Sequence, residues 1–311
     1  MYEAVKGEHF SDLLSNPQVF DFSRRMITES YVACVPGHEE EMRALLERAF
    51  ALLAAARNDE ERLQESVALL IDEVFRKEDA DFWFNRLYLQ YKRDFKPHKR
   101  FRELRPWLRG KRVLDLGCGS GRLSLQLAEG GYEPALTDVL DYRAPEARHL
   151  PFARMEQPRR IPYADGAFDS AVVMAVLHHV APQNLLPLLQ ELRRVARRVV
   201  VEEDSFQLPA DLEGLDERLA QEAQLRAFVA LPPEDQLRYT MFLDYFANAV
   251  TQGLPQMETP FDFKTVEEWQ SLFVEQGFTV RRTLLQGFQK GHFNRACHVW
   301  FVLDAEEEPG P

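Results

Sequence analysis

Cysteine is scarce in this chain of 311 residues, with only Cys34, Cys118 and Cys297. Their odd number and wide spacing exclude a disulfide framework or a zinc ribbon and point to a reducing compartment. Long apolar runs are missing as well: none approaches the ~20 residues that span a bilayer. The opening stretch Met1 to Phe10 has no basic region followed by an apolar core. A cytoplasmic protein that does not associate with membranes is expected. Positive charge is also in deficit, since 38 Lys plus Arg against 50 Asp plus Glu leave a formal charge of −12. Such a balance repels nucleic acid and anionic membrane. Two local basic clusters run against it, Tyr91 to Arg100 and the set Arg193, Arg194, Arg197 and Arg198. Both read as solvated helix faces, so nucleic acid is not expected as a partner. Internal repeats are absent, and 45% apolar residues suffice for the core of one or two domains.

Against this background one segment stands out, Val113 to Ser124, where an apolar strand runs into a glycine-dense turn that opens a helix. Gly117, Gly119 and Gly121 remove side chains where the backbone turns sharply and a ligand lies against it. The following helix offers free N–H groups and the positive end of its dipole. A dinucleotide fingerprint needs a third glycine five places after the first, where this chain has Arg122, and no Lys-Ser/Thr pair follows to cradle a phosphate.

With Asp115 at the strand end and glycines at alternate positions, Val113-Leu-Asp-Leu-Gly-Cys-Gly-Ser-Gly-Arg-Leu-Ser124 resembles motif I of the class I S-adenosylmethionine-dependent methyltransferases. Ile161-Pro-Tyr-Ala-Asp-Gly-Ala-Phe-Asp169, followed by the apolar run to His178-His-Val180, is similar to the stretch before and within the fourth strand of the ubiquinone-biosynthesis branch, methyltransferase type 11. The resemblance spans about residues 111 to 204, with weaker support to 303. It implies S-adenosyl-L-methionine as cofactor and a small or medium-sized organic acceptor, methylated by in-line displacement.

The texture of the chain fits an α/β fold. Strands are expected near 112–116, 132–137, 149–154, 168–174 and 198–203, alternating with helices. Asn184 is expected to cap the helix after the fourth strand, with Pro187 in its first turn. Thr265 to Gln276 reads as a final helix capped by Thr265 and ended by Gly277. Strands at 278–286 and 295–304 then form a closing antiparallel hairpin. The expected whole is a Rossmann-like, seven-stranded, mostly parallel sheet finished by that hairpin. An N-terminal helical region (1–108) precedes the methyltransferase domain (109–304), which carries a helical lid insert (205–260). A disordered tail (305–311) follows. Two packed helices within 38–76 turn at Asn58-Asp59, after a break at Pro36-Gly37. The aromatics from Phe82 to Phe101 read first as core packing and second as a cleft lining. Acceptor entry is expected between the N-terminal helices and the insert.

For the cofactor, Asp138 ends the second strand some twenty residues beyond the loop, where a carboxylate accepts ribose hydroxyl protons. Asp141 is the alternative. Asp115, Gly117, Cys118, Gly119, Gly121 and Val139 complete the expected cradle. By resemblance, Glu156 or Gln157 reaches the adenine, and Ala175 and Val176 present backbone near the methionine part. His178 and His179 lie where an acceptor would meet the methyl group, and either can serve as general base or simply pack beneath the lid. Glu202, Glu203 and Asp204 end the fifth strand and can orient or deprotonate an acceptor. No metal is expected, because the adjacent histidines lack helical spacing and no nearby Cys or His completes a site. His292 and His298 read as structural. The Asp/Asn-Pro-Pro-Tyr motif of enzymes that methylate nucleobases or glutamine amides is missing. Three other readings stand beside the small-molecule enzyme: a methyltransferase acting on protein or tRNA, a non-catalytic S-adenosylmethionine-binding scaffold, and a nicotinamide oxidoreductase.

Overall fold

The computed structural model describes residues 9–305 apart from 256, 258, 289 and 290. The described residues open with α1 (Phe10–Leu13), α2 (Pro17–Val32), α3 (Glu39–Ala55), α4 (Glu60–Leu69), α5 (Trp83–Gln90) and α6 (Lys96–Leu104). Asn58 takes a positive φ and Asp59 caps α4, its Oδ1 accepting the Arg62 N–H at 3.0 Å, so the turn between α3 and α4 falls at the expected pair.

The sheet follows as β1 (Arg112–Leu116), α7 (Arg122–Glu129), β2 (Glu133–Asp138), β3 (Phe152–Arg154), β4 (Phe168–Met174), α8 (Pro182–Val195) and β5 (Ala196–Asp204). After β5 come α9 (Leu215–Gln221), α10 (Ala223–Val229), α11 (Pro233–Tyr245) and α12 (Val266–Glu275), then β6 (Thr279–Gly287) and β7 (His298–Asp304). The seven strands lie in the order β3-β2-β1-β4-β5-β7-β6, parallel from β3 to β5, with β7 antiparallel to both neighbours. Val113, Leu114, Ala171, Val172, Val173, Val199, Val200 and Val201 are wholly buried, as continuous apolar strands covered on both faces must be. Thr265 caps α12 through a reciprocal pair of bonds with Glu268, a capping box.

Three local expectations are corrected. Helix α8 starts at Pro182, not after Asn184, because Pro182 fits the first helical position with its φ already set. Asn184 therefore lies inside the first turn, and Pro187 stands in the helix interior. Strand β3 is only three residues long, since Pro145–Ala147 winds into a 3₁₀ turn before it. Strand β7 begins at His298, not Arg295. The preceding segment turns away to bury Phe293 against Tyr31, Phe84, Tyr88 and Tyr91, and Asn294 accepts the Tyr31 hydroxyl at 2.6 Å. The tail beyond 305 lies outside the described residues, whereas Ala305 is buried and donates its N–H to the Arg197 carbonyl.

The N-terminal helices and the insert pack on one another instead of flanking a cleft. Phe10 stacks on Tyr245 at 3.8 Å, and Phe242 meets Phe10, Phe20 and Phe50 within 6.1 Å. Helix α11 then continues into a π-helical turn, Phe246–Thr251, whose Phe246 packs on Tyr31, Phe50 and Phe75. These rings share one buried core with the sheet. The acceptor route expected between helices and insert is therefore filled by aromatic side chains. Phe84 and Tyr88 are buried, in keeping with the core reading of the 82–101 aromatics, while Phe95 stays exposed.

Candidate functional site

The glycine loop lies between β1 and α7 at the C-terminal edge of the sheet. Gly117 has φ +68°, and a Cβ there would come within 2.6 Å of the Val176 side chain, so only glycine lets the loop touch the end of β4. Gly119 has φ +50° with nothing within 4 Å of its missing Cβ. The loop thus presents bare backbone to open space at Gly119 and close packing at Gly117. The Gly119 N–H donates to Asp138 Oδ2 at 2.9 Å, and Val139 N–H donates to Asp138 Oδ1 at 2.8 Å. Burial raises the Asp138 pKa against the pull of these backbone donors.

Asp115, expected as part of the cofactor cradle, lies at the end of β1. Its side chain is buried and accepts the Ser124 hydroxyl at 2.6 Å, fastening α7 to β1 beneath the loop. Burial pushes its carboxyl up to about 6. Cys118 is half-buried, with a thiol raised by burial and then by Asp115 and Asp138. Gly121 begins α7 at φ +70°. Arg122, which stands where a dinucleotide fingerprint has glycine, pairs with Glu146 at 3.1 Å. Val139 is exposed beside Asp138, and Asp141 is bound by Arg143 at 2.9 Å and held at about 2. Glu156 is exposed and Gln157 accepts Arg159 at 3.2 Å, both in the loop after β3.

At the end of β4 the chain passes through Ala175, whose φ of +58° is strained for a residue with a side chain. The Ala175 N–H donates to the Glu202 carbonyl at 2.7 Å. Glu203 accepts the N–H groups of Val176 and Leu177 through Oε1, at 3.1 and 2.7 Å, and the His178 Nδ1 proton through Oε2 at 2.5 Å. His178 is buried and stacked on Phe263. Burial disfavours its protonation, but Glu203 and then Asp244 hold its pKa well above the ordinary value. His179 Nε2 lies 3.4 Å from Asp244 Oδ1.

Asp244 belongs to α11 of the insert and escaped the sequence reading. Its signal was a single carboxylate within the otherwise apolar run Met241 to Phe246. It begins a polar ladder down one side of that helix. Asn248 donates to Asp244 Oδ1 at 2.7 Å, Gln252 donates to Asn248 at 2.6 Å, and Lys92 donates to Gln252 at 2.6 Å. Burial, then the nearby Arg122, Lys77 and Arg100 cations, brings Lys92 down to about 8.

The basic stretch 91–100 is only in part a solvated face: Arg93 and His98 are exposed, whereas Lys92 and Arg100 find partners within the fold. Arg100 pairs with buried Glu202, which also accepts the Trp300 indole N–H at 2.8 Å. Lys96 is pulled well below its usual pKa by Arg100 and by burial. His298 pairs with Asp204 at 2.6 Å; burial raises the Asp204 pKa, but His298 outweighs it and holds the carboxyl at about 2. His298 thus joins this charged floor, whereas His292 accepts or donates at 2.8 Å with Tyr91 at the N-terminal helices.

The structure thus brings together a glycine turn after β1, a carboxylate ending β2, and a parallel sheet closed by an antiparallel hairpin. Residues 114–199 match the family model described as a methyltransferase domain. Demethylmenaquinone methyltransferase of Beutenbergia cavernae is 34% identical over 113 residues, 34% of this chain and 46% of that protein. An uncharacterized methyltransferase of Mycobacterium tuberculosis is 33% identical over 94 residues, 28% of this chain and 36% of that one. The chain therefore matches less than half the length of these relatives. Among solved structures, a SAM-dependent methyltransferase from Methanosarcina mazei aligns with TM-score 0.45 at 19% identity, covering 65% of this chain and 96% of that one.

Proposed function

We propose that this chain catalyses methyl transfer from S-adenosylmethionine to a small or medium-sized organic acceptor. The observation that carries the reading is the pairing of Gly119 with Asp138: an open backbone cradle with a carboxylate fixed at its rim. When bound, the cofactor supplies a methyl group made electrophilic by its sulfonium. Asp138 would accept ribose hydroxyls, and the loop from Gly117 to Gly121, with Cys118, would lie along the rest of the molecule. Glu156, or Gln157, would face the adenine, and Ala175 and Val176 would line the methionine part. Fixing an acceptor beside that methyl lowers the barrier by on the order of 7–11 kcal/mol when the alignment is good.

Burial supports a small acceptor. The polar groups past β4 and β5 sit under α11, with His178 and Asp244 both below a tenth exposed, a setting that suits a small molecule and not a folded macromolecule. The inward-turned cations of 91–100 speak against a nucleic-acid surface. Among the described residues no helix is long and apolar enough to cross a membrane, and the three cysteines are free, in keeping with a cytoplasmic setting. Calorimetry with S-adenosylmethionine, S-adenosylhomocysteine and NADH tests the reading. Binding of both sulfur compounds, lost in Gly119→Arg and Asp138→Ala, supports it and justifies an acceptor screen with labelled methyl. No binding of either sinks it.

A further inference from the structure

We propose that His178, His179 and Asp244 bind one divalent transition-metal ion, of the zinc or ferrous-iron class, at the C-terminal edge of β4. One ligand atom from each residue lies within 4.8 Å of the other two. The Nε2 atoms of His178 and His179 stand 3.7 and 3.4 Å from Asp244 Oδ1. Donors held 2.0–2.1 Å from a tetrahedral ion are spaced by about 3.4 Å from one another. The observed separations match that spacing and exceed a good hydrogen bond between the same atoms.

The surroundings supply the second observation. Glu203 takes the Nδ1 proton of His178, which turns the lone pair of Nε2 toward Asp244 and His179. A ligating histidine characteristically donates its other ring N–H to a carboxylate, which fixes the tautomer and strengthens the donor. Glu203 is itself immobilised by the N–H groups of Val176 and Leu177, and Asp244 by the Asn248 amide. Phe263 packs flat on the His178 ring at 4.8 Å. The two histidines come from the 3₁₀ turn Leu177–His179 just past β4, and Asp244 comes from the last turn of α11; Leu177, Phe242 and Leu243 beside them belong to one buried core.

Two imidazoles and one carboxylate suit zinc or iron better than magnesium or calcium, which take oxygen donors. Three protein ligands also leave a coordination position for water or an oxygen-bearing molecule. Val176, two residues before His178, abuts Gly117 of the glycine loop, so the ion would lie close to the proposed cofactor cradle. The alternative is a buried imidazolium bridging Glu203 and Asp244. In that arrangement His179 is a second ion-pair partner of the same Asp244 oxygen, and no ion is held.

The site is testable without cofactor or acceptor, so its failure is separate from failure of the methyl-transfer reading. Full-length, tag-free protein would be stripped with chelator and titrated with cobalt(II) alone, followed by visible absorption and by mass-spectrometric metal analysis. One equivalent per chain with ligand-field bands is expected, displaced by zinc. Asp244→Asn, of nearly unchanged shape, and His179→Ala should each abolish the one-equivalent binding, and Glu203→Gln should weaken it by roughly 10–100-fold. Circular dichroism melts of the metal-free variants separate lost binding from lost folding. Substoichiometric binding by the folded native chain, or full binding retained in folded Asp244→Asn, overturns the proposal and leaves a hydrogen-bonded charge cluster.

Discussion

Asp138 accepts the backbone N–H of Gly119 at 2.9 Å, so the carboxylate ending β2 holds the tip of the glycine loop before any ligand arrives. The carboxylate shapes the cradle and, under the proposed function, would also offer lone pairs to a ligand. Asp138→Ala removes both. A charge-assisted hydrogen bond contributes roughly 1.5–3 kcal/mol, so affinity for S-adenosylhomocysteine should fall on the order of 10–150-fold. Calorimetry decides it, and an unchanged dissociation constant would remove Asp138 from the proposed site.

Asp115 gives a pH signature. Burial raises its folded-state pKa to about 6, above the unfolded carboxylate value of about 3.9. Its ionisation is therefore opposed by folding. The penalty is absent below the unfolded value, grows between the two, and is fully developed above about 6. Asp115→Asn cannot ionise and should gain on the native chain with rising pH, by about 2 kcal/mol near pH 8 relative to pH 4. Urea melts at a series of pH values would show the two stability curves diverging; parallel curves contradict the assignment.

Gly117 predicts a coupled pair. Gly117→Ala must hold a positive φ, at a cost of about 1–2 kcal/mol, and press its methyl into Val176, adding roughly 1–3 kcal/mol. Shortening the neighbour in Val176→Ala should relieve the second part only. A double-mutant cycle on thermal stability reads the coupling, and strict additivity would mean that the two side chains do not meet.

Phe242 joins the insert to α1, α2 and α3 through its rings. Phe242→Ala should cost about 3–5 kcal/mol. The loss should lower a single unfolding transition seen alike by far-ultraviolet dichroism and tryptophan fluorescence. If instead one early transition shifts and a later one stays put, the insert and the sheet unfold separately.

What could be read beforehand was whatever is encoded within a dozen residues. The apolar strand and glycines of 113–121, the Thr265 cap and the Asn58-Asp59 turn are local devices, and each is where the sequence places it. Asn184 misled because a good capping side chain competed with a proline that starts a helix equally well, and Pro182 prevailed. Asp244 was hidden because its partners His178 and His179 are over sixty positions away, and no periodicity reports which carboxylate a long insert will bring home. The basic stretch 91–100 misled for the same reason: Arg100 and Lys92 find their partners in β5 and in the turn after α11.

The continuous core beneath these elements bears on how the protein could be altered. Residues 10–104 and the insert interlock through Phe10, Phe20, Phe50, Phe242 and Phe246, and the insert in turn roofs the end of β4. A graft meant to change acceptor preference would have to carry both segments together, because neither has an apolar face complete without the other. The two stretches, separated by the whole parallel sheet in the chain, constitute a single exchangeable part.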